Sequence, residues 1–446
     1  MTEQTPLAIV ILAAGKGTRM KSALPKVMHK IAGRPMINWL IEAAEALEPE
    51  KIIVVTGPDM PDLKAAAAPH SCVIQQEQKG TGDAVKPAMK LLEGFDGKVL
   101  ILLGDEPFVD LTVLEEMIAH DGISVMAVEQ DFPSGLGRVF LKDDGTLEHI
   151  VEAKDCTEEQ LDHPIRNAGN FCVPAKHLAK WLDQIKNDNK QNEYYLTDLP
   201  KIAEQDGFAT RVIGAEALGG WGINTRAELA EHEFIAQDML RQMAMEEGVT
   251  MIDPDTVTLS WDTQFGQDVI IEPNVYIGPW TSIESGVTIH AFSHIEGAII
   301  EEGAEIGPFA RIRPKSVIGE GASVGNFTEI NRSTLEAGAK AKHVSYIGDT
   351  IVGSKANIGA GTIIANYDGF FKHQSRIGKD VFVGSNSTII SPVVVGDGAI
   401  IAAGSNVNKD IPANAMAIGR SRQENHLGWA SEYRKVKQQQ KHHEEE

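Results

Sequence analysis

A chain of 446 residues with 42% hydrophobic side chains is about two or three domains' worth of material and can bury substantial cores. Its 63 Asp and Glu outweigh 41 Lys and Arg, and the formal charge of −22 argues against a nucleic-acid or anionic-membrane partner, since either needs a basic footprint. The three cysteines, Cys72, Cys156 and Cys172, lie far apart, which argues against a thiolate zinc site or a disulfide framework and suits a reducing compartment.

In chain order, the start MTEQTPLAIVILAAG has no basic residues ahead of its apolar run and does not read as a signal peptide. No apolar run reaches about 18 residues, so no membrane span is expected and the expected location is the cytoplasm. Apolar runs at 8–14, 51–57, 98–105 and 123–129 alternate with helical patterns such as MINWLIEAAEAL. That alternation predicts βαβ units and a mostly parallel sheet, with ligands at the carboxyl ends of strands, where Gly15 and Asp105 fall.

The stretch LAAGKGTRMKSALPK, residues 12–26, leaves the first strand with a phosphate-binding look. A Walker A loop is absent, and the dinucleotide pattern GxGxxG is met at Gly15 and Gly17 but has Met20 in its third place. An NAD(P)-binding oxidoreductase further requires an acidic residue about 20 positions on, at the end of a second strand, where RPMINWLIE reads as a helix. Arg19 and Lys26 bring more fixed charge than a pyrophosphate met by backbone amides calls for. They favour a nucleoside triphosphate. Asp105, an oxygen donor after KVLILL, suits Mg²⁺.

Residues 227–247 read as one amphipathic helix, so the expected organisation is a first domain over 1–226, a connecting helix over 227–249 and a second domain over 250–425. In that second domain a period of six takes over. Aliphatic residues recur from Ile277 to Ile295, from Ile300 to Ile330 and from Ile377 to Val407, sixteen positions in fixed register. Small residues such as Thr281, Ala310, Ser387 and Ser405 follow four positions later. No α-helix has this period. It describes short strands that turn a corner every six residues, a parallel β-helix of the left-handed hexapeptide kind. Two interruptions, 335–352 and 364–376, are expected to be loops that leave the solenoid. The polar tail, 426–446, is expected to be mostly irregular after a short ordered segment, with His442 and His443 solvated.

LAAGKGTRM followed by LPK resembles the signature of sugar-nucleotide pyrophosphorylases. With the hexapeptide domain behind it, the chain is similar over roughly residues 7–425 to the bifunctional family of N-acetylglucosamine-1-phosphate uridyltransferases/glucosamine-1-phosphate acetyltransferases. The resemblance implies a Rossmann-like α/β nucleotidyltransferase domain followed by the β-helix. It also implies synthesis of UDP-N-acetylglucosamine for peptidoglycan and lipopolysaccharide, and a homotrimer with each acetyl site between subunits. It places Leu12, Gly15, Arg19 and Lys26 around UTP, with Gln75, Gly80 and Thr81 from QQEQKGTGDA reading uracil. Asp105 and Asn224 would hold Mg²⁺, and Gly137, Glu152, Asn167 and Asn224 would surround N-acetylglucosamine-1-phosphate. Lys26 and Arg19 would assist the uridyl transfer.

For the acetyl transfer, the resemblance makes His343 of KAKHVSYIGD the general base, which suits an imidazole because it titrates near neutrality. Arg313, Asn331, Tyr346 and Asn357 would bind glucosamine-1-phosphate, with Glu329 as an acidic neighbour. Ala360, Asn366, Tyr367, Ser385, Ala403 and Arg420 would bind acetyl-CoA. Four positions depart from the family pattern: Leu103 where an aromatic is expected, Leu136 where Tyr is expected, Ala168 where Thr is expected, and Asn331 where a phosphate-binding Lys is expected. Arg332 is expected to point to the opposite side of its strand from Asn331 unless the coil is locally bulged. Asn331 motivates an alternative in which only uridyl transfer operates and the β-helix is a trimerising scaffold.

Overall fold

The computed structural model describes residues 5–129, 135–216 and 220–445. It divides into two compact units, Met1–Met239 and Leu240–Glu446.

The first unit is built on a sheet whose main path runs Thr210–Ala215, Ile123–Glu129, Ile165–Pro174, Lys98–Leu103, Leu7–Leu12, Lys51–Thr56, Ser71–Ile74. All neighbours are parallel except Ile165–Pro174, which runs antiparallel to both of its partners. Central strands such as LAIVIL and KVLILL are apolar almost without a break because both faces are covered, and Ile9, Val10, Leu100 and Ile101 are fully buried. The antiparallel strand carries a bulge between Asn167 and Phe171, where Gly169 takes φ +89°.

One helix, Arg226–Glu246, carries the chain past the division at Met239. It starts at a capping box: Thr225 Oγ1 accepts from Glu228 N at 3.2 Å, while Glu228 Oε2 accepts from Thr225 N at 2.7 Å and from Asn224 N at 2.6 Å. The cap fixes the backbone of Asn224 next to the first unit's site.

The second unit is a parallel β-helix. All sixteen aliphatic positions of the six-residue pattern are buried, at 0–5% exposure. Stacked core residues run Ile283, Ile300, Ile318, Leu335, Val352, Ile377, Val395 from coil to coil. The small residues sit inside corners, where several hydroxyls donate to the carbonyl three residues back, as Thr281 does to Gly278 at 2.8 Å and Ser405 to Ala402 at 2.6 Å. That contact satisfies polar groups a larger side chain would strand.

Two expectations need correction. Residues 335–352 do not leave the solenoid: Lys340–Gly348 pairs in register with Ser323–Asn331, and Leu335, Ala341, Ile347 and Val352 are fully buried. The steps from Ile330 to Leu335 and from Ile347 to Val352 are five residues, so the strict period is lost while the coil continues. The second interruption is a true insertion, since Val352 stacks on Ile377 across 25 residues where other coils take 17 or 18. The tail, in turn, forms a helix, Trp429–Glu445. Its Glu, Lys, Arg and Gln favour that state, with Lys435 and Glu432 paired at 3.1 Å, and His442 is exposed.

Candidate active sites

At the carboxyl ends of the first unit's strands lies a cavity of about 380 Å³. Leu12, Gly15, Lys26, Gln75, Gly80, Thr81, Asp105 and Glu152 all line it. Lys26 emerges from the short turn Lys26–Met28 behind Pro25, and its stem packs against Gly17. Gly17 has φ +59°, and a Cβ there would stand 2.6 Å from Lys26 Cβ, which explains the second glycine of the loop. Gly15 differs: a Cβ would meet nothing within 4 Å, so the open space there is not needed by the fold.

Lys26 Nζ is ion-paired with Asp105 and donates to Asn224 Oδ1 at 3.0 Å. Arg19 Nη2 donates to the same oxygen at 2.8 Å. A carboxylate and an amide oxygen thus converge on one cationic nitrogen, a hard oxygen set of the kind Mg²⁺ uses together with substrate phosphates. Among the described residues no group of three or more His, Cys, Asp or Glu could hold a metal ion, so such a cation would rest on few protein ligands.

The base-side residues are held by the fold as well. The amide nitrogen of Gln75 donates to Gly80 O at 3.2 Å and Asp83 Oδ2 at 2.9 Å, and Thr81 Oγ1 accepts from Leu196 N at 3.0 Å. Gly80 has φ +111°, and a Cβ would lie 2.5 Å from Tyr194 O. This approach draws in 191–195, whose Gln191, Glu193 and Tyr195 line the cavity with Gln78. None of these four is singled out by the sequence. The only signal available, Gly80 at a position needing left-handed backbone, does not name its partner segment.

The sugar-side residues are less concentrated. Thr197 Oγ1 donates to Glu152 Oε1 at 3.0 Å, and burial, with Asp155, Asp198 and Glu193 nearby, raises the Glu152 carboxyl above its ordinary value. Gly137 and Asn167 do not line the cavity. Asn167 N donates to Gly137 O at 2.9 Å, and a Cβ on Gly137 would stand 3.6 Å from Glu152 Oε2. Of the departures from the family pattern, Leu103 lines the cavity and fills the space beside Gly169. Ala168 is buried against Gly220, away from the cavity, so its missing hydroxyl is not presented there. Leu136 gives its carbonyl to the Arg138 guanidinium.

In the second unit, the strand Lys340–Gly348 carries His343 at an exposed corner and Tyr346 on the face that follows. His343 Nδ1 meets Asn326 Oδ1 at 3.0 Å, one coil below. The tautomer that donates this bond leaves Nε2 bare to accept a proton. Glu329 is engaged elsewhere, with Arg313 Nη1 at 2.9 Å. Hydrogen bonds from Gly361 N to Val344 O, Asn386 N to Ala360 O and Gly404 N to Ser385 O align His343, Ala360, Ser385 and Ala403 up one corner. Arg420 lies next, its Cδ 3.9 Å from where a Cβ on Gly404 would be.

Asn331 Nδ2 donates to Tyr346 OH at 3.3 Å, and Asn366 Nδ2 donates to Asp349 Oδ2 at 2.5 Å. Arg332 does not point away: at φ +50° it turns the corner, and its guanidinium donates to Asn331 Oδ1 at 3.2 Å. The left-handed corner takes the place of the bulge such an orientation would need. Tyr367 is in the inserted loop, with Lys372 Nζ 4.4 Å from the centre of its ring, a cation that no sequence motif marks. Asn357 pairs with Lys340, whereas Tyr346 pairs with Ile363. Within one chain, Asn357 is therefore on a different face from Tyr346.

The family model of the MobA-like NTP transferase domain matches residues 9–192, that of the bacterial transferase hexapeptide (six repeats) matches 262–297 and 374–409, and that of the GMPPB C-terminal domain matches 294–369. Among curated proteins, the chain is 43% identical over 434 residues to the bifunctional protein GlmU of Paramagnetospirillum magneticum, covering 96% of each. It is 43% identical to that of Zymomonas mobilis over 98% of this chain and 99% of the relative. The corresponding protein of Sphingopyxis alaskensis is 45% identical over 96% of each. With identity of this level sustained through both units, the chain belongs to the GlmU family of bifunctional proteins.

Proposed function

We propose that the first unit transfers UMP from UTP to N-acetylglucosamine-1-phosphate, releasing pyrophosphate, and that the second acetylates glucosamine-1-phosphate with acetyl-CoA. The observation that carries the first half is that Lys26 and Asp105 line one cavity as an ion pair, to which Asn224 and Arg19 are joined through Asn224 Oδ1. The sugar phosphate attacks the α-phosphorus of UTP and pyrophosphate leaves, so the protein needs to align the groups and neutralise charge. Lys26 and Arg19 supply fixed cations for the triphosphate, Gln75, Gly80 and Thr81 hold the base, and Glu152 takes the acceptor sugar. Asp105 and Asn224 would hold Mg²⁺, which when bound would supply further charge neutralisation for the phosphates.

For acetyl transfer, His343 Nε2 takes the proton of the glucosamine amine as it attacks the thioester, with Asn326 holding the tautomer. Acetyl-CoA lies along the corner of Ala360, Ser385, Ala403 and Arg420, close to Asn366 and Tyr367. The scaffold-only alternative rests on Asn331, but Arg332 brings a guanidinium to that position's side chain. We further propose a cytoplasmic homotrimer whose acetyl sites are completed between subunits. The exposed Phe370 and Phe371 on the inserted loop and the exposed corner rings Phe292, Phe309 and Phe327 support it as apolar surface for neighbouring copies. Two assays on the purified protein test the reading: pyrophosphate release with UTP and N-acetylglucosamine-1-phosphate, and CoA release with acetyl-CoA and glucosamine-1-phosphate. Loss of the second signal alone leaves the scaffold alternative standing; light scattering tests the trimer.

A further inference from the structure

Arg332 and Asp349 occupy successive levels of one solenoid corner, both at φ +50°, with Asp349 N donating to Asn331 O at 3.0 Å. Stacked corners bring the two side chains together as a fork. Arg332 Nε and Nη2 each reach one oxygen of Asp349 at 2.7 Å. The guanidinium holds the Asp349 carboxyl below its ordinary value, so the pair stays ionised. Among the described residues each partner's side chain makes one further hydrogen bond, and these point to different places. Arg332 Nη1 donates to Asn331, which donates to Tyr346 OH; Asp349 Oδ2 accepts from Asn366.

We propose that Arg332 and Asp349 are positioning residues that couple the acceptor and acetyl-CoA subsites, an inference that rests on reading Tyr346 and Asn366 as contacts to those two substrates. Neither residue needs to touch the reacting atoms. The fork holds Asn331 and Tyr346 on one side and Asn366 on the other, so a ligand that orders one side prepares the other. Linkage makes the effect reciprocal: each ligand tightens the other by the same factor.

Coenzyme A and glucosamine-1-phosphate form a pair that cannot react, and calorimetric titration of one in the presence and absence of the other on the full chain measures the coupling. Wild type is expected to show a mutual tightening of about fivefold or more. In Arg332→Gln and in Asp349→Asn the coupling falls to unity. The KM values for both acetyl-transfer substrates rise about tenfold, the equivalent of one good hydrogen bond. Uridyl transfer stays at the wild-type rate. Arg332→Lys keeps the charge without the planar fork and falls between. Coupling retained in both variants, or a rise in one KM alone, overturns the inference. A wild-type chain that releases no CoA from acetyl-CoA and glucosamine-1-phosphate overturns the reading of the site itself, which separates the two failures.

Discussion

Replacing Lys26 by Met keeps the stem that packs on Gly17 and removes only the charged end. Asn224 Oδ1 retains Arg19 at 2.8 Å, so the loss falls on Asp105. Its side chain is 16% exposed and borders the cavity, where water can replace the ammonium. The folding cost is therefore near the lower end of the ~1–3 kcal/mol for an unmade buried partner. The catalytic cost is larger, because a fixed charge aimed at the transferring phosphates is lost. One such group is worth ~10²–10³ in kcat, or ~3–4 kcal/mol. Pyrophosphate release from UTP and N-acetylglucosamine-1-phosphate should fall by that factor, while CoA release by the same preparation is unchanged. Uridyl transfer within threefold of wild type, or a matching loss of acetyl transfer, refutes the reasoning.

Gly15→Ala fits the fold without a clash, so thermal unfolding should be unchanged or slightly raised while the KM for UTP rises; a drop in stability with unaltered KM contradicts the assignment. His343→Ala should lower acetyl transfer by about 10²–10⁴. Asn326→Ala should cost about tenfold through the freed tautomer, and full activity in Asn326→Ala would remove that residue from the account. Glu152 holds its proton to higher pH in the folded chain than in the unfolded one, so folding stability declines as pH rises from about 4.5 through the raised value. Glu152→Gln should flatten that decline in urea titrations, and an unchanged slope assigns it to other groups. Burial pushes the Cys172 thiol up to about 12, so alkylation at pH 8 should leave it unmodified until denaturant is added.

The six-residue pattern was legible because the core accepts only an aliphatic side chain at each inward position, and all sixteen positions are buried. The loop after the first strand was legible for a similar reason, since Gly17 and Lys26 sit in contact and constrain each other. Five-residue steps hid the coil around His343, because a period is visible only while its register holds. Partners brought in by tertiary contact left no local trace: Gln191, Glu193 and Tyr195 arrive through the backbone approach of Tyr194 to Gly80. The orientation of Arg332 is not legible from strand alternation, because the strand ends at Asn331 and Arg332 lies one residue beyond it, in a corner where alternation no longer applies. The tail's low complexity spoke against a packed core, which is right for its exposed helix, but not against helicity itself.

One corner of the solenoid places Phe292, Phe309 and Phe327 at φ between +55° and +61°, where Gly361, Asn386 and Gly404 sit farther along the same edge. Left-handed backbone disfavours a bulky residue by about 1–2 kcal/mol, and ring stacking at 4.9 and 5.1 Å offsets only part of that. A lone chain would fold more readily with glycine or asparagine at those three places. The aromatic choice there works against the stability of the isolated chain, and replacing the three rings by glycine or asparagine to gain thermal resistance would also remove the exposed apolar surface of this edge.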